Sequence, residues 1–543
     1  MELEGAKLTV LDQDGNIVDS WTSVKGEEHL IERLTVGETY TLREELAPYG
    51  YLKAEEITFT VEDTAEIQKV EMKDDVPEGT LIINKKGEFL EDVTLVDTIG
   101  GWISHIFEYI TGALKDVTFE VYALEDIKAA DGESEDYYKK DELIATITTD
   151  ETGIAKLSGL PLGKYYVKEK ETAEGYVLDG EIREIDLTYV DQETAEVTWN
   201  GDWQNNRQKA EVSVLKKEKD TDRVLEGAVF ALSAKEDITN KDGDVVLEAG
   251  TVIEEKATGE DGKLTFEADL PIGFSYVVKE TSPAPGFATT DEVQEFTFTA
   301  ESSDKATVSY EFIFEDEPTV FEFTKTSLTD GKEVEGAKLT VTDENGEVVD
   351  EWVSGKEPHI IKELVVGQTY TMTEVLPAPG YVTAESIQFT VEDTAEVQKV
   401  EMKDDVTKVE ISKTDIAGEE LPGAKLTILD ENGEVMESWT SSEEPHYIEM
   451  LPIGRYILHE ESAPEGYLVA EDIEFEVKDT GEIQKVVMKD EAAPEETPEE
   501  PQNPVGTDAP KTGDDTNLLF WTALLGIGLC GTGAAFVMRR KRR

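Results

Sequence analysis

Residues 59–76 read FTVEDTAEIQKVEMKDDV and residues 389–406 read FTVEDTAEVQKVEMKDDV, a recurrence broken at one position. A third copy, FEVKDTGEIQKVVMKDE, begins at Phe475. A chain that repeats itself this closely builds one packed unit per repeat, so the recurrence sets the domain count before any strand is assigned. Other blocks keep the same order: GAKLTV or GAKLTI starts at Gly5, Gly336 and Gly423, and a looser GAVFAL starts at Gly227. The repeats divide the chain into five units, residues 1–76, 77–206, 207–317, 318–406 and 407–491. A length of 543 residues exceeds what one core can serve, in agreement with the division.

Within a unit the hydrophobic period is two. Leu339, Val341 and Asp343 alternate before Asn345-Gly346, and Asp261-Gly262 and Asn432-Gly433 mark similar turns, so the units are expected to be all-β and built from hairpins. Asp12-Gln13-Asp14-Gly15 and Asp343-Glu344-Asn345-Gly346 share the acidic spacing of a calcium loop but lack its length and distal glutamate, and they read as hairpin turns. No metal or cofactor site is expected. Unit two carries an insertion near residues 98–110 in which Ile99, Trp102, Ile103, Ile106, Phe107 and Ile110 fall at i, i+3, i+4, i+7, i+8 and i+11. That spacing predicts an amphipathic helix capping its own sandwich.

Acidic residues outnumber basic ones 122 to 50, for a formal charge of -72, which excludes nucleic acid and anionic lipid as partners. With 38% hydrophobic residues the chain still has the means to fill cores, so the acidity belongs to solvated surface. The one cysteine, Cys530, cannot form a disulfide within the chain. Something else must reinforce an array of this kind if it works outside the cell.

In each complete unit three strands carry a polar residue on their apolar face. The first places Glu after two inward apolar positions: Tyr40-Leu42-Glu44, Tyr165-Val167-Glu169, Tyr276-Val278-Glu280, Tyr370-Met372-Glu374 and Tyr456-Leu458-Glu460. Opening strands do so with lysine, in Leu81-Ile83-Lys85, Val212-Val214-Lys216, Phe321-Phe323-Lys325 and Val409-Ile411-Lys413. Closing strands end on Asn or Asp: Val70-Met72-Asp74, Trp199-Gly201-Trp203-Asn205, Phe312-Phe314-Asp316, Val400-Met402-Asp404 and Val486-Met488-Asp490. Asn206 stands beside Asn205, but only Asn205 keeps the alternation with Trp203. Burying three such groups costs several kcal/mol for each unpaired charge, so the trio calls for a compensating contact or a reaction that removes charge.

With these residues in place, the units resemble the B-type repeat of collagen adhesins and the SpaA-like pilin domain. The block YxLxExxAPxGY carries the resemblance at residues 456–467 and, nearly, at residues 370–381. It implies tandem transthyretin-like (prealbumin-like) β-sandwiches over residues 1–491, each holding an intramolecular Lys-Asn or Lys-Asp isopeptide bond. By the resemblance, Lys85 joins Asn205 with loss of ammonia. Lys216 joins Asp316, Lys325 joins Asp404 and Lys413 joins Asp490 with loss of water. Glu169, Glu280, Glu374 and Glu460 are the corresponding proton shuttles. Unit one has Glu44 and Asp74 but no opening strand; its lysine is expected before Met1, leaving unit one unlinked in this chain.

Beyond the repeats, residues 492–508 are rich in Pro, Glu and Thr and read as an extended spacer. Residues 518–538 carry no charge and are long enough to cross a bilayer as one helix, and the basic run Arg539, Arg540, Lys541, Arg542 and Arg543 fixes the upstream chain outside. Between them stands Ala509-Pro510-Lys511-Thr512-Gly513. The whole of residues 509–543 resembles the sortase cell-wall sorting signal of Gram-positive bacteria, with Ala509 where LPxTG has Leu. The resemblance implies cleavage between Thr512 and Gly513 and transfer of Thr512 to a peptidoglycan precursor, which makes sortase and that precursor the first partners. Residues 1–5 lack the basic and apolar regions of a secretory signal, so further residues are expected upstream of Met1.

The functional expectation is a cell-wall-anchored, non-enzymatic stalk or adhesin on the outer face of the cell. A minor or basal pilus subunit contacting other pilins is a second reading, although no YPK-like lysine motif occurs. A third is the stalk of a surface enzyme whose catalytic domain lies upstream; His29, His105, His359, His446 and His459 show no metal-ligand spacing, and no nucleophile motif appears. A host or extracellular-matrix ligand is compatible with the first reading, and the repeats do not identify it.

Overall fold

The structure, a computed structural model, describes residues 2–97 and 102–494. The expected sorting signal at 509–543, the expected span at 518–538 and most of the expected 492–508 spacer lie outside the described residues, as does Ile99 of the unit-two insertion. The described residues are built from strands, arranged in tandem units.

Unit four shows the plan. One sheet orders His359–Lys362, Val320–Ser327 and Val397–Asp404; the facing sheet orders Val348–Val353, Lys338–Thr342, Thr369–Leu376 and Ile387–Thr390. Phe321, Phe323, Leu339, Val341, Tyr370, Met372, Val400 and Met402 fill the space between them, all from alternate positions of their strands. Unit five repeats the arrangement with Lys408–Asp415 between His446–Glu449 and Ile483–Asp490. In every complete unit the first and last strands pair in parallel, and the register sets Lys85 beside Trp203, Lys216 beside Phe314, Lys325 beside Met402 and Lys413 beside Met488. With a period of two, the residue two places beyond each partner projects from the same face as the lysine. Those residues are Asn205, Asp316, Asp404 and Asp490.

Among its described residues, unit one has the single sheet Ile17–Thr22, Lys7–Leu11, Thr39–Leu46 and Ile57–Thr60. Its closing segment, expected as a strand through Val70, Met72 and Asp74, forms none among residues 67–76, although the almost identical residues 397–404 are a strand. The difference is context: the strand at 397–404 pairs with Val320–Ser327, and among the described residues no strand lies beside 67–76 to pair with it.

The helix expected near 98–110 is corrected to a strand, Ile103–Ala113. It runs antiparallel to the distal half of the twenty-residue strand Glu78–Asp97, with Val93 opposite Phe107 and Phe89 opposite Ile110. Both faces of this hairpin carry apolar residues, and that mixture imitates a helical period. Phe107 and Leu90 are buried with Val93 and Tyr109 in the core of unit three, whereas Ile103 and Ile106 are exposed. The hairpin does not cap its own sandwich; it extends the sheet of unit three by pairing Ser104 with Glu254. Arg207 reinforces the crossing, stacked 3.6 Å from the Tyr109 ring centroid and ion-paired to Asp269.

Later junctions share one device. The Thr319 hydroxyl, wholly buried, donates 2.6 Å to the Leu364 carbonyl and 3.3 Å to that of Gly286. Thr407 repeats this with Leu451 at 2.6 Å and Gly380 at 3.3 Å. Units three and four are joined further by the Arg223–Glu363 pair, with guanidinium bonds of 2.5 and 2.9 Å.

Candidate functional site

The parallel pairing of first and last strands, faced by the Glu-bearing strand of the opposite sheet, places one trio inside each complete unit. In unit two, Lys85 Nζ donates to Asn205 Oδ1 at 2.6 Å and to Glu169 Oε2 at 2.7 Å, and Asn205 Nδ2 donates to Glu169 Oε1 at 2.5 Å. In unit three, Lys216 Nζ bonds to Asp316 Oδ1 and lies 2.9 Å from Glu280 Oε1. Lys325 bonds to Asp404 with Glu374 at 3.0 Å, and Lys413 bonds to Asp490 with Glu460 at 2.9 Å. None of the twelve residues is more than 5% exposed, so these charges face each other with almost no water to screen them. Aromatic rings complete the wall: Lys85 Nζ lies 5.6 Å from the Phe119 centroid and 5.9 Å from that of Trp203, and Lys216 Nζ lies 5.5 Å from that of Phe230.

Burial shifts protons in the direction that amide formation needs. Desolvation pulls the Lys85 ammonium below the ordinary lysine value, against the opposing pull of Glu169. Desolvation, with help from the Asp316 charge, pushes Glu280 up to about 7 while Lys216 resists. Asp404 is likewise pushed up to about 7, by burial first and by Glu374 beside it, and burial also raises Asp316 and Asp490. The chemistry open to such a cluster is nucleophilic attack by a neutral amine on a neutral carboxyl or carboxamide, with the glutamate passing protons.

Several supporting contacts lie beyond what alternation in the sequence reveals. The backbone N–H ten residues past the glutamate donates to its Oε2 in four units: Ala54 to Glu44 at 2.7 Å, Thr290 to Glu280 at 2.9 Å, Ala384 to Glu374 at 2.6 Å and Ala470 to Glu460 at 2.6 Å. The aromatic seven residues past the glutamate bridges to the residue two past the acceptor, in the pairs Tyr176–Arg207, Phe287–Pro318, Tyr381–Val406 and Tyr467–Ala492. That bridge pins the exit of the closing strand and accounts for the Gly-Tyr ending of the repeated block. The block's first tyrosine ties down a loop, with Tyr276 donating to Pro271 at 2.6 Å and Tyr456 to Pro452 at 2.7 Å.

In unit one, Glu44 and Asp74 are brought together, and the charge of Lys53 acts on Glu44. Burial raises both carboxyls, and the Asp74 charge raises Glu44 further. The sorting-motif residues 509–513 lie outside the described residues. Asp12 and Asp343 cap their own turns, Asp12 Oδ1 accepting from Asp14 and Asn16 and Asp343 Oδ1 from Asn345 and Glu347.

A family described as SpaA, a prealbumin-like fold domain, matches residues 1–76, 109–203, 210–311, 319–406 and 407–492. Among solved structures, the Bacillus anthracis TIE protein is similar at 22% identity over 74% of this chain and 73% of its own, with a TM-score of 0.31. BcpA, the major pilin subunit of Bacillus cereus, is similar at 15% identity over 60% of this chain and 99% of its own, with a TM-score of 0.29. A streptococcal ancillary pilin is similar at 18% identity over 60% and 98%, with a TM-score of 0.20. No curated protein matches.

Proposed function

The chain belongs to the SpaA family of prealbumin-like fold domains, five times over, and on that premise we propose that it is a tension-bearing surface stalk locked by four intramolecular isopeptide bonds. The supporting observation is the contact between each buried lysine and the acceptor at the end of the parallel partner strand. A proton passes from lysine to glutamate, and the freed amine attacks the acceptor Cγ. In unit two the C–N bond of Asn205 breaks and ammonia leaves. In units three to five the C–OH bond of a protonated Asp breaks and water leaves. Each glutamate returns one proton to the leaving group and collects one from the new amide nitrogen.

The bond joins the strand by which tension enters a unit to the strand by which it leaves, so force crosses the amide and does not unzip the sheets. The chain works as a wall-anchored stalk or adhesin, with sortase joining Thr512 to the peptidoglycan precursor on the outer face of the cell. Single-molecule extension tests this. Units two to five yield only their connectors, nine to eleven residues from one acceptor to the next lysine and therefore about 30 to 40 Å each. Stepwise unfolding of all five units at ordinary forces contradicts the proposal.

A further inference from the structure

Unit two differs from units three to five in more than its acceptor. Asn205 Nδ2 has a second partner, the hydroxyl oxygen of Thr172, at 2.7 Å. In each aspartate unit no hydroxyl or N–H meets the corresponding oxygen, Asp316 Oδ2, Asp404 Oδ2 or Asp490 Oδ2, and the acceptor carboxyl has only the glutamate carboxyl beside the lysine. Thr172 stands three residues past Glu169, and the same place holds Ala47, Pro283, Pro377 and Ala463 in the other units. The one asparagine acceptor thus coincides with the one side chain at that place able to accept a hydrogen bond. Glu169 also differs, engaging Lys85 with Oε2 where the other glutamates accept a backbone N–H.

We propose that Thr172 is a positioning residue that adapts unit two to an asparagine acceptor, an inference that rests on the isopeptide reading above. A carboxamide has two ends of similar shape and opposite hydrogen-bonding character. If it turned over, its NH2 would face Lys85, donor against donor, and its oxygen would face the glutamate. Thr172 and Glu169 together accept both Nδ2 hydrogens, which fixes Oδ1 toward lysine and the nitrogen toward the proton shuttle. Lys85 Nζ, having given a proton to Glu169, attacks Cγ; Nδ2 then takes that proton from Glu169 as the C–N bond breaks. One lysine nitrogen is acylated and one ammonia is released. The ammonia takes up the proton the new amide nitrogen gave to Glu169 and departs as ammonium. An aspartic acid has no such ambiguity, because either oxygen leaves as water, so proline or alanine suffices in the other units.

The test follows the Lys85–Asn205 cross-linked peptide over time after purification of the full chain, by proteolysis and mass spectrometry, with the other three bonds as internal controls of folding. Thr172→Val slows the unit-two bond about ten-fold, the loss expected for one hydrogen bond in the reacting geometry, and Thr172→Ser restores it. Placed on Asn205→Asp, Thr172→Val has no effect, which a merely structural role for Thr172 does not predict. A unit-two bond that forms as fast in Thr172→Val as in the unaltered chain overturns the proposal. Absence of the bond from the unaltered chain overturns the isopeptide reading itself, and the proposal with it.

Discussion

Lys85 Nζ lies 2.6 Å from Asn205 Oδ1 although 120 positions separate the two residues, and both are at most 1% exposed. The contact exists because the first and last strands of the unit run side by side. The same relation in units three to five makes the buried lysine a recurring part of the repeat.

Removing a lysine leaves its carboxylates buried and unpaired. Lys325→Met should destabilise unit four by about 3–5 kcal/mol before any loss of the bond is counted. Calorimetry of the full chain should show one transition moved to lower temperature and the others in place. An unchanged thermogram contradicts the assignment.

Bond formation in the aspartate units needs one proton more than in unit two, since Lys, Glu and Asp must share enough protons to leave amine and acceptor both neutral. Glu280 and Asp404 hold theirs up to about 7, against 4.5 and 3.8 for the free groups. Because these folded values are raised, their contribution to the unlinked fold is complete below the free carboxyl range and is lost as pH climbs through about 7. Linkage in units three and four should therefore slow above that pH, while unit two, with its neutral Asn205, changes less. Folding chain recovered unlinked from inclusion bodies at pH 6 and at pH 8, and counting the linked peptides of units two, three and four over time by mass, checks this.

Phe107 belongs to unit two by sequence and to the core of unit three by packing. Phe107→Ala should cost about 3–5 kcal/mol and appear as loss of amide protection along Val252–Ala257 of unit three, with the trio of unit two intact. Protection lost first in unit two contradicts the crossing described above.

Gly380 sits at φ +87, and a Cβ there would come within 2.5 Å of the Met450 carbonyl. Gly380→Ala should loosen the junction between units four and five by about 1–3 kcal/mol, opening a protease site near Thr407. Unchanged resistance to proteolysis contradicts a tight junction.

Alternation with period two is enough to read the strands and the inward trios, because a Lys, Glu or Asp in phase with Val, Phe and Met has nowhere to point but the core. The same signal misleads at residues 103–110. There a strand with apolar residues on both faces, one against unit three and one in solvent, carries the spacing of a helix. Residues 67–76 and 397–406 show the opposite limit: nearly one sequence yields a strand only where a partner strand exists. Thr172 is readable in principle as a hydroxyl at a place otherwise held by Pro or Ala, but its purpose emerges only when Asn205 Nδ2 is seen between it and Glu169.

The central claim is that four buried lysines become amides. The intact mass of the folded chain measures this directly: it should fall below the sequence mass by one ammonia plus three waters, with unit one contributing nothing. A mass equal to that of the sequence would contradict the account, leaving four buried ion pairs and no bond.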